Sequence, residues 1–240
     1  MATLFISDLH LDDERPAILE LFSSFVRRET SGADTLYILG DLFEAWVGDD
    51  DDSSLADRVR SIVHQAADQT PVFFMHGNRD FLIGERFARE TGAQLLEDPT
   101  VTELYGTPVL LMHGDTLCTD DHEYQAYRKT VRDPAWQKQM LARPLEERRR
   151  IARQYRADSE AHTSAKAEAI MDVNPDAVSE AFRQHDVKLM IHGHTHRPGV
   201  HDLRIGGRAA QRVVLGDWYE RGSVLRVDDS GFRLETLSPD

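Results

Sequence analysis

The sequence predicts an α/β protein, a β-sandwich flanked by helices and carrying a helical insertion, on three observations. Short apolar runs without alternation recur, each ending in the same few polar residues. Amphipathic segments separate the first runs, and one polar stretch from about 119 to 174 breaks the rhythm. Unalternating runs of β-branched and large apolar residues read as strands buried on both faces. Strand, helix, strand, helix implies sheets covered by helices, with ligands gathering beyond the carboxyl ends of the strands.

In chain order, TLFIS (3–7) runs into Asp8-Leu9-His10 and TLYIL (35–39) into Gly40-Asp41. VFFM (72–75) runs into His76-Gly77-Asn78-Arg79-Asp80, and VLLM (109–112) into His113-Gly114-Asp115. LMI (189–191) runs into His192-Gly193-His194-Thr195-His196, and VVL (213–215) into Gly216-Asp217. The runs at 213–215 and 223–227 are expected to form a hairpin. Ile18, Leu19, Phe22, Phe25 and Val26 recur at helical spacing, as do Leu55, Val59, Ile62 and Val63. In the polar stretch, Pro144 opens a helix expected to reach about Met171, and Asn174-Pro175 reads as an N-cap with a first-turn proline. The four aspartates at 49–52 read as a solvated loop, and Trp46 and Trp218 as walls of a site or core packing.

A chain of 240 residues fits one domain, 1–240, with a helical lid insertion at about 119–174. With 28 Lys+Arg against 42 Asp+Glu the net charge is −14, which argues against a broad nucleic-acid surface. Cys118 is the single cysteine, so no intramolecular disulfide forms, and it is expected to pack. The acidic start, MATLFISDLHLDDE, is not expected to be a signal peptide, and no run approaches the ~20 apolar residues of a spanning helix.

Asp8-x-His10 and His194-x-His196 each put two side chains on one side of an extended strand end. Asp41, Asn78 and His113 follow strands, beside Gly40, Gly77 and Gly114, which permit sharp turns and close approach. Two aspartates, four histidines and one asparagine exceed what one ion takes from protein and suit two ions sharing a carboxylate. Oxygen and nitrogen donors without thiolate favour Mn²⁺, Fe or Zn²⁺. Two such ions lower the pKa of water and clamp phosphoryl oxygens, which makes phosphoester hydrolysis the natural reaction class.

The ordered series Asp8-x-His10, Gly40-Asp41, Gly77-Asn78-Arg79-Asp80, His113, Gly193-His194-x-His196 resembles the calcineurin-like metallophosphoesterases. That resemblance implies a metallophosphoesterase-type β-sandwich with one ion on Asp8, His10, Asp41 and His196. It implies a second ion on Asp41, Asn78, His113 and His194, with Asp41 bridging and with Asp41, Asn78, Arg79 and His113 as catalytic residues. Many members carry His after the Asn, whereas this chain has Arg79. A guanidinium is a poor general acid but binds phosphate bidentately, which points to a diphosphate, whose leaving group needs little protonation. A structural alternative pairs Arg79 with Asp80 or another carboxylate.

The longer blocks SDLHL (7–11), GDLFEAW (40–46), HGNRDFLIG (76–84), HGDTLCT (113–119), HGHTHRP (192–198) and LGDW (215–218) are similar to the UDP-2,3-diacylglucosamine diphosphatase family of lipid A biosynthesis. That similarity implies two Mn²⁺ per chain and water attack at the α-phosphorus, yielding UMP and 2,3-diacylglucosamine 1-phosphate (lipid X). It further implies a peripheral position on the cytoplasmic face of the bacterial inner membrane. Its substrate contacts match Asn78, Arg79, Asp121, Ser159, Thr163, Lys166 and His194, and the i, i+4, i+7 spacing sets Ser159, Thr163 and Lys166 on one helix face. Arg143, Arg148, Arg149, Arg150, Arg153 and Arg156, interleaved with Trp136, Met140, Leu141, Leu145, Ile151 and Tyr155, suggest a lid. Such a lid would hold acyl chains and lean on an anionic membrane surface. The bland alternative is an amphipathic helix with solvated arginines. Soluble nucleotide-sugar diphosphates or cyclic nucleotides remain alternative substrates, a non-catalytic scaffold is a further alternative, and no obligate protein partner is inferred.

Overall fold

The structure, a computed structural model, describes residues 1–165 and 172–238, with side chains to residue 157 and again from 172. The first half alternates β1 (Ala2–Ile6), α1 (Pro16–Glu29), β2 (Ala33–Leu39), α2 (Ser54–Ala67), β3 (Val72–Met75), α3 (Glu85–Thr91) and β4 (Gln94–Leu96). Then follow β5 (Thr100–Leu104), β6 (Thr107–Leu111), α4 (His122–Val131), α5 (Pro134–Leu141), α6 (Leu145–Ala165) and α7 (Pro175–His185). The chain ends with β7 (Leu189–His192), β8 (Gly199–Ile205), β9 (Arg208–Val214), β10 (Gly222–Asp228) and β11 (Gly231–Leu237).

These strands form two mixed sheets, β11-β10-β1-β2-β3-β4 and β5-β6-β7-β9-β8. In β1, Leu4 and Ile6 pack under the helices while Phe5 faces the other sheet, and in β2 Leu36 and Ile38 alternate the same way with Tyr37 and Leu39. Both faces of these strands meet apolar cores, which is why their sequences do not alternate. The helix-side core takes Phe22, Phe25, Val59 and Phe87 from α1, α2 and α3, and α7 covers the second sheet with Val178 and Phe182. The result is an α/β/β/α sandwich. Phe5, Tyr37 and Phe73 stack at 4.8 and 5.1 Å within the inter-sheet core. The fully buried Phe5 contributes roughly 1.5–3 kcal/mol, and the partly buried Phe73 less.

Helix termini follow the expected chemistry. The Asn174 side chain accepts from the N–H groups of Asp176 and Ala177 while Pro175 opens α7. Pro144 stands just before Leu145, where α6 begins, and the expected reach to Met171 passes outside the described residues. Two expectations need correction. The runs at 213–215 and 223–227 do not pair with each other: β9 lies between β7 and β8, whereas β10 lies between β1 and β11. The connection crosses between sheets because Trp218 is drawn into the core against Phe22 and Phe25. The hairpins are instead β8–β9, turning at Gly206-Gly207, and β10–β11. Nor is the acidic loop merely solvated. Asp49 accepts from the N–H groups of Gly84, Arg86 and Phe87 at the start of α3, and Asp50, Asp51 and Asp52 bind arginines of α6.

His192 closes β7 in full burial. Its Nε2 accepts from Arg212 on β9 at 3.0 Å, so the ring proton sits on Nδ1 and is donated to Gly193 O at 2.9 Å. Burial, with the Arg212 charge, drives its pKa from 6.5 to about 3. A depressed histidine pKa leaves stability intact above 6.5 and removes it as pH falls from 6.5 towards 3. In chelator, unfolding free energy from urea titrations should fall by about 1.4 kcal/mol per pH unit from this group across that window. His192→Gln should flatten the slope by one proton, and an unchanged slope would refute the assignment.

Candidate metal centre

All seven candidate ligands lie in loops at the carboxyl ends of β1, β2, β3, β6 and β7. Five are in the left-handed region: Asp8 (φ 55°), His10 (φ 48°), Asp41 (φ 54°), His194 (φ 69°) and His196 (φ 55°). Asp and His enter this region more readily than most residues, yet each still costs on the order of 1 kcal/mol. Backbone bonds between loops hold the geometry. Asp8 N–H donates to Gly40 O at 3.0 Å, His10 N–H to Asp41 O at 2.9 Å, and Gly193 N–H to His113 O at 2.8 Å.

Each aspartate has one oxygen committed to its surroundings. Asp8 Oδ2 accepts from Ser7 Oγ and from His194 N–H, and Asp41 Oδ1 accepts from Arg79 N–H at 2.8 Å. The other oxygens face inward, and Asp8 Oδ1 is buried without a hydrogen-bond partner. Around Asp8 Oδ1 lie His196 Nε2 at 3.4 Å and His10 Nε2 at 4.0 Å. Asp41 Oδ2 lies 3.6 Å from His10 Nε2 and 3.8 Å from His113 Nε2, at the join of two donor nests. Asn78 Oδ1 completes the second nest, 2.9 Å from His113 Nε2 and 2.8 Å from His194 Nδ1.

The tautomers test whether cations fit. His10 Nδ1 lies 3.0 Å from Glu44 Oε2, and His113 Nδ1 lies 2.9 Å from Leu39 O, both acceptors. His113 therefore donates through Nδ1, and the negative charge of Glu44 beside His10 Nδ1 favours the proton on that nitrogen too, so that with a cation bound each ring turns a lone pair inward at Nε2. Acceptors converging on acceptors in a buried site call for positive charge between them. Without a cation the site draws a proton onto His113 in its place. Burial pushes the His113 pKa down, but Asp41, Asp115 and Asp8 outweigh it and lift it to about 9. Burial, aided by the His113 charge, pushes His194 down to about 4. Burial opposes ionisation of Asp8, but His196, His113 and His10 hold its carboxyl well below the usual range. Oxygen and imidazole donors without thiolate fit Mn²⁺, Fe or Zn²⁺.

Arg79 pairs not with Asp80 but with another carboxylate, its Nη1 lying 3.9 Å from Glu44 Oε1. The buried Asp80 carboxyl accepts instead from Gly77 N–H at 2.8 Å and Leu42 N–H at 2.7 Å, and burial with the Asp41 charge lifts its pKa to about 7. Arg79 and Asn78 line a cavity of about 420 Å³, whose apolar wall includes Trp46, Phe81, Leu82, Trp136, Met140 and Ile151. Trp46 therefore both packs in the core and walls the cavity. Asp121 lines the same cavity and caps α4 through Tyr124 N–H at 3.0 Å. Lys166 lies outside the described residues, and so do the side chains of Ser159 and Thr163.

The arginines of α6 are mostly consumed within the molecule, which corrects the picture of a solvated basic face. Arg148 is buried on Asp50 and Val47 O, Arg149 binds Asp51, Asp52 and Glu146, and Arg156 binds Asp12, while Arg143, just before the helix, binds Glu147. Cys118 is buried, and burial pushes its thiol up to about 12, in keeping with packing. Sequence reasoning missed Glu44, Asp115, Tyr124 and Tyr219. Asp115 takes Tyr124 Oη–H at 2.6 Å and Arg128 Nε–H at 2.7 Å, and Tyr124 packs 5.7 Å from His194. Tyr219 stacks on His10 at 5.4 Å. The position of Glu44 three residues after Asp41 was the one available signal.

A family model described as calcineurin-like phosphoesterase matches residues 1–198. The UDP-2,3-diacylglucosamine hydrolase of Xanthomonas campestris pv. campestris (strain ATCC 33913) is 55% identical over 246 residues, covering 99% of this chain and 100% of that protein. The protein of the same name from Stenotrophomonas maltophilia (strain K279a) is 54% identical, covering 99% of each. A solved structure of a novel archaeal phosphodiesterase aligns with a TM-score of 0.51 at 13% identity, covering 99% of this chain and 100% of that one, a likeness of fold.

A methyl group on Gly77 would stand 2.0 Å from Asp41 Oδ1 and 2.3 Å from Asp41 N. Neither atom is free to move, so Gly77→Ala should displace the Asp41 and Asn78 loops together. Calorimetric titration with Mn²⁺ should show at least tenfold weaker binding in the folded variant. Wild-type binding would show that the two loops do not depend on this contact.

Proposed function

The chain belongs to the calcineurin-like phosphoesterases and is a hydrolase, and from that premise we propose that it cleaves the diphosphate of UDP-2,3-diacylglucosamine in lipid A biosynthesis. The observation that carries this reading is the apolar cavity opening beside Asn78 and Arg79. A phosphorylated sugar bearing acyl chains matches a site lined both by polar donors and by aromatic and aliphatic side chains. The relatives at 54–55% identity carry this activity in their names.

In the proposed centre, Asp8, His10, Asp41 and His196 would hold one Mn²⁺, and Asp41, Asn78, His113 and His194 would hold the other. When bound, two such ions lower the pKa of water and neutralise charge on the phosphoryl oxygens. Water adds to the α-phosphorus and the bond from it to the bridging oxygen breaks, giving UMP and 2,3-diacylglucosamine 1-phosphate. Arg79 binds the departing phosphate and needs to give it no proton, since a phosphate leaves as an anion. Asp121, Ser159, Thr163, Lys166 and His194 take the head group alongside Asn78 and Arg79.

The segment 119–174 serves as the lid of a single domain, its apolar wall holding acyl chain. The exposed Leu141 and Tyr155, with the exposed Arg150 and Arg153, offer a contact for an anionic membrane surface. No described helix is long and apolar enough to cross a membrane. The proposed location is the cytoplasmic face of the bacterial inner membrane.

Hydrolysis with Mn²⁺ in ¹⁸O-water should place the label in UMP, and label in the sugar phosphate would overturn attack at the α-phosphorus. Ala152 lines the cavity. Ala152→Phe should lower kcat/KM for the diacylated substrate at least tenfold, a loss of about 1.4 kcal/mol in transition-state binding, and spare the deacylated analogue. Equal losses on both substrates would sink the acyl-chamber assignment.

A further inference from the structure

The two ligand loops that follow β1 and β2 run side by side. Leu11 and Phe43 form a parallel bridge, and Glu44 N–H donates to Leu11 O at 3.1 Å. This pairing turns Glu44 back beneath His10. Its carboxylate is buried, with Oε2 3.0 Å from His10 Nδ1 and 3.5 Å from Arg15 Nη2. On the other oxygen, Oε1, lie Arg156 Nε at 3.5 Å and Arg79 Nη1 at 3.9 Å. Arg156 belongs to α6, and its Nη1 also reaches Asp12 Oδ2 at 2.9 Å, two residues beyond His10.

We infer that Glu44 is a positioning residue that fixes the tautomer of His10 and couples the first metal position to helix α6 through Arg156. The inference rests on the metal-centre reading above but not on the identity of the substrate. A carboxylate can only accept, so the His10 proton stays on Nδ1 and the Nε2 lone pair stays directed inward. The same carboxylate anchors α6, the helix that walls the cavity, through its second oxygen. Coupling of this kind is reciprocal: a cation on His10 steadies the Glu44 pair and hence α6, and loss of α6 docking weakens the cation site. A carboxylate that merely balanced three arginines would have no such effect on metal binding.

The decisive variant is Glu44→Gln. Arg156 and Arg79, two of the three guanidiniums, draw the amide oxygen to the Oε1 side and leave the NH₂ facing His10 Nδ1, which favours the wrong tautomer. Mn²⁺ binding to the metal-stripped protein, followed by calorimetry and Mn²⁺ EPR, should show two sites in the wild type. In Glu44→Gln one site should weaken 10–100-fold while the other changes little. Hydrogen exchange at residues 145–157 should slow on Mn²⁺ addition in the wild type and not in the variant. Arg156→Gln, which leaves His10 its carboxylate, should lose the Mn²⁺-dependent protection and weaken the same site severalfold. Failure of the wild type to bind two ions would overturn the metal-centre reading itself. Two-site binding in the wild type with unaltered affinity in Glu44→Gln would overturn this inference alone. If Glu44→Gln does not fold by circular dichroism, Arg156→Gln decides: unaltered affinity with persistent protection overturns the coupling.

Discussion

The Asp41 carboxylate is bonded on one side to the backbone of Arg79 and shared on the other between two nests of imidazole and carboxylate donors. Everything around it is arranged to bring negative and lone-pair-bearing atoms closer than they would otherwise sit. Left-handed turns at five candidate ligands point their side chains to a common centre, at an energetic cost that backbone bonds between the loops offset. The two sheets supply the rigid frame. Their strands are buried on both faces, so the ends that carry the loops cannot slide, and Gly77 lets one loop approach Asp41 more closely than any side chain permits.

The helical segment between β6 and β7 is tied to this centre rather than hung beside it. Arg148 is buried on the acidic loop at 50, Arg156 reaches Asp12 and Glu44, and Arg132 donates to Gly77 O at 2.9 Å. Buried and half-buried guanidinium pairs give specific docking more than net stability, because desolvation offsets much of the Coulomb gain. Their effect is to seat the apolar wall of the cavity at a defined distance from Asn78 and Arg79. In a chain with net charge −14, Arg79, Arg148 and Arg156 thus line the cavity, each held beside acids of the body.

Much of this was legible in the residues. The apolar runs marked the strands that carry the candidate ligands, and Asn174-Pro175 marked the start of α7, because local chemistry decides strand burial and helix capping. The edge strands β5, β8 and β11 were not legible: sequences such as TVTEL and GFRLETL are half exposed and take their pairing from neighbours. The acidic loop was misread for a related reason. Four consecutive aspartates look solvated until Asp49 meets the first turn of α3 and the others meet Arg148 and Arg149, contacts spanning up to about a hundred residues.

The sequence by itself determined the candidate donors, the strand ends on which they ride and the chemical class of the reaction, since these depend on residue type and short spacing. Tertiary structure alone decided which oxygen of each aspartate faces inward, which nitrogen of His10 and His113 carries the proton, and what holds it there. Those choices rest on Glu44, Leu39 O and the backbone of Arg79, partners brought within hydrogen-bond reach only when the strand-end loops converge. Hydrogen bonds and buried charges act over a few ångströms, and no pattern along the chain records which distant groups folding will bring that near.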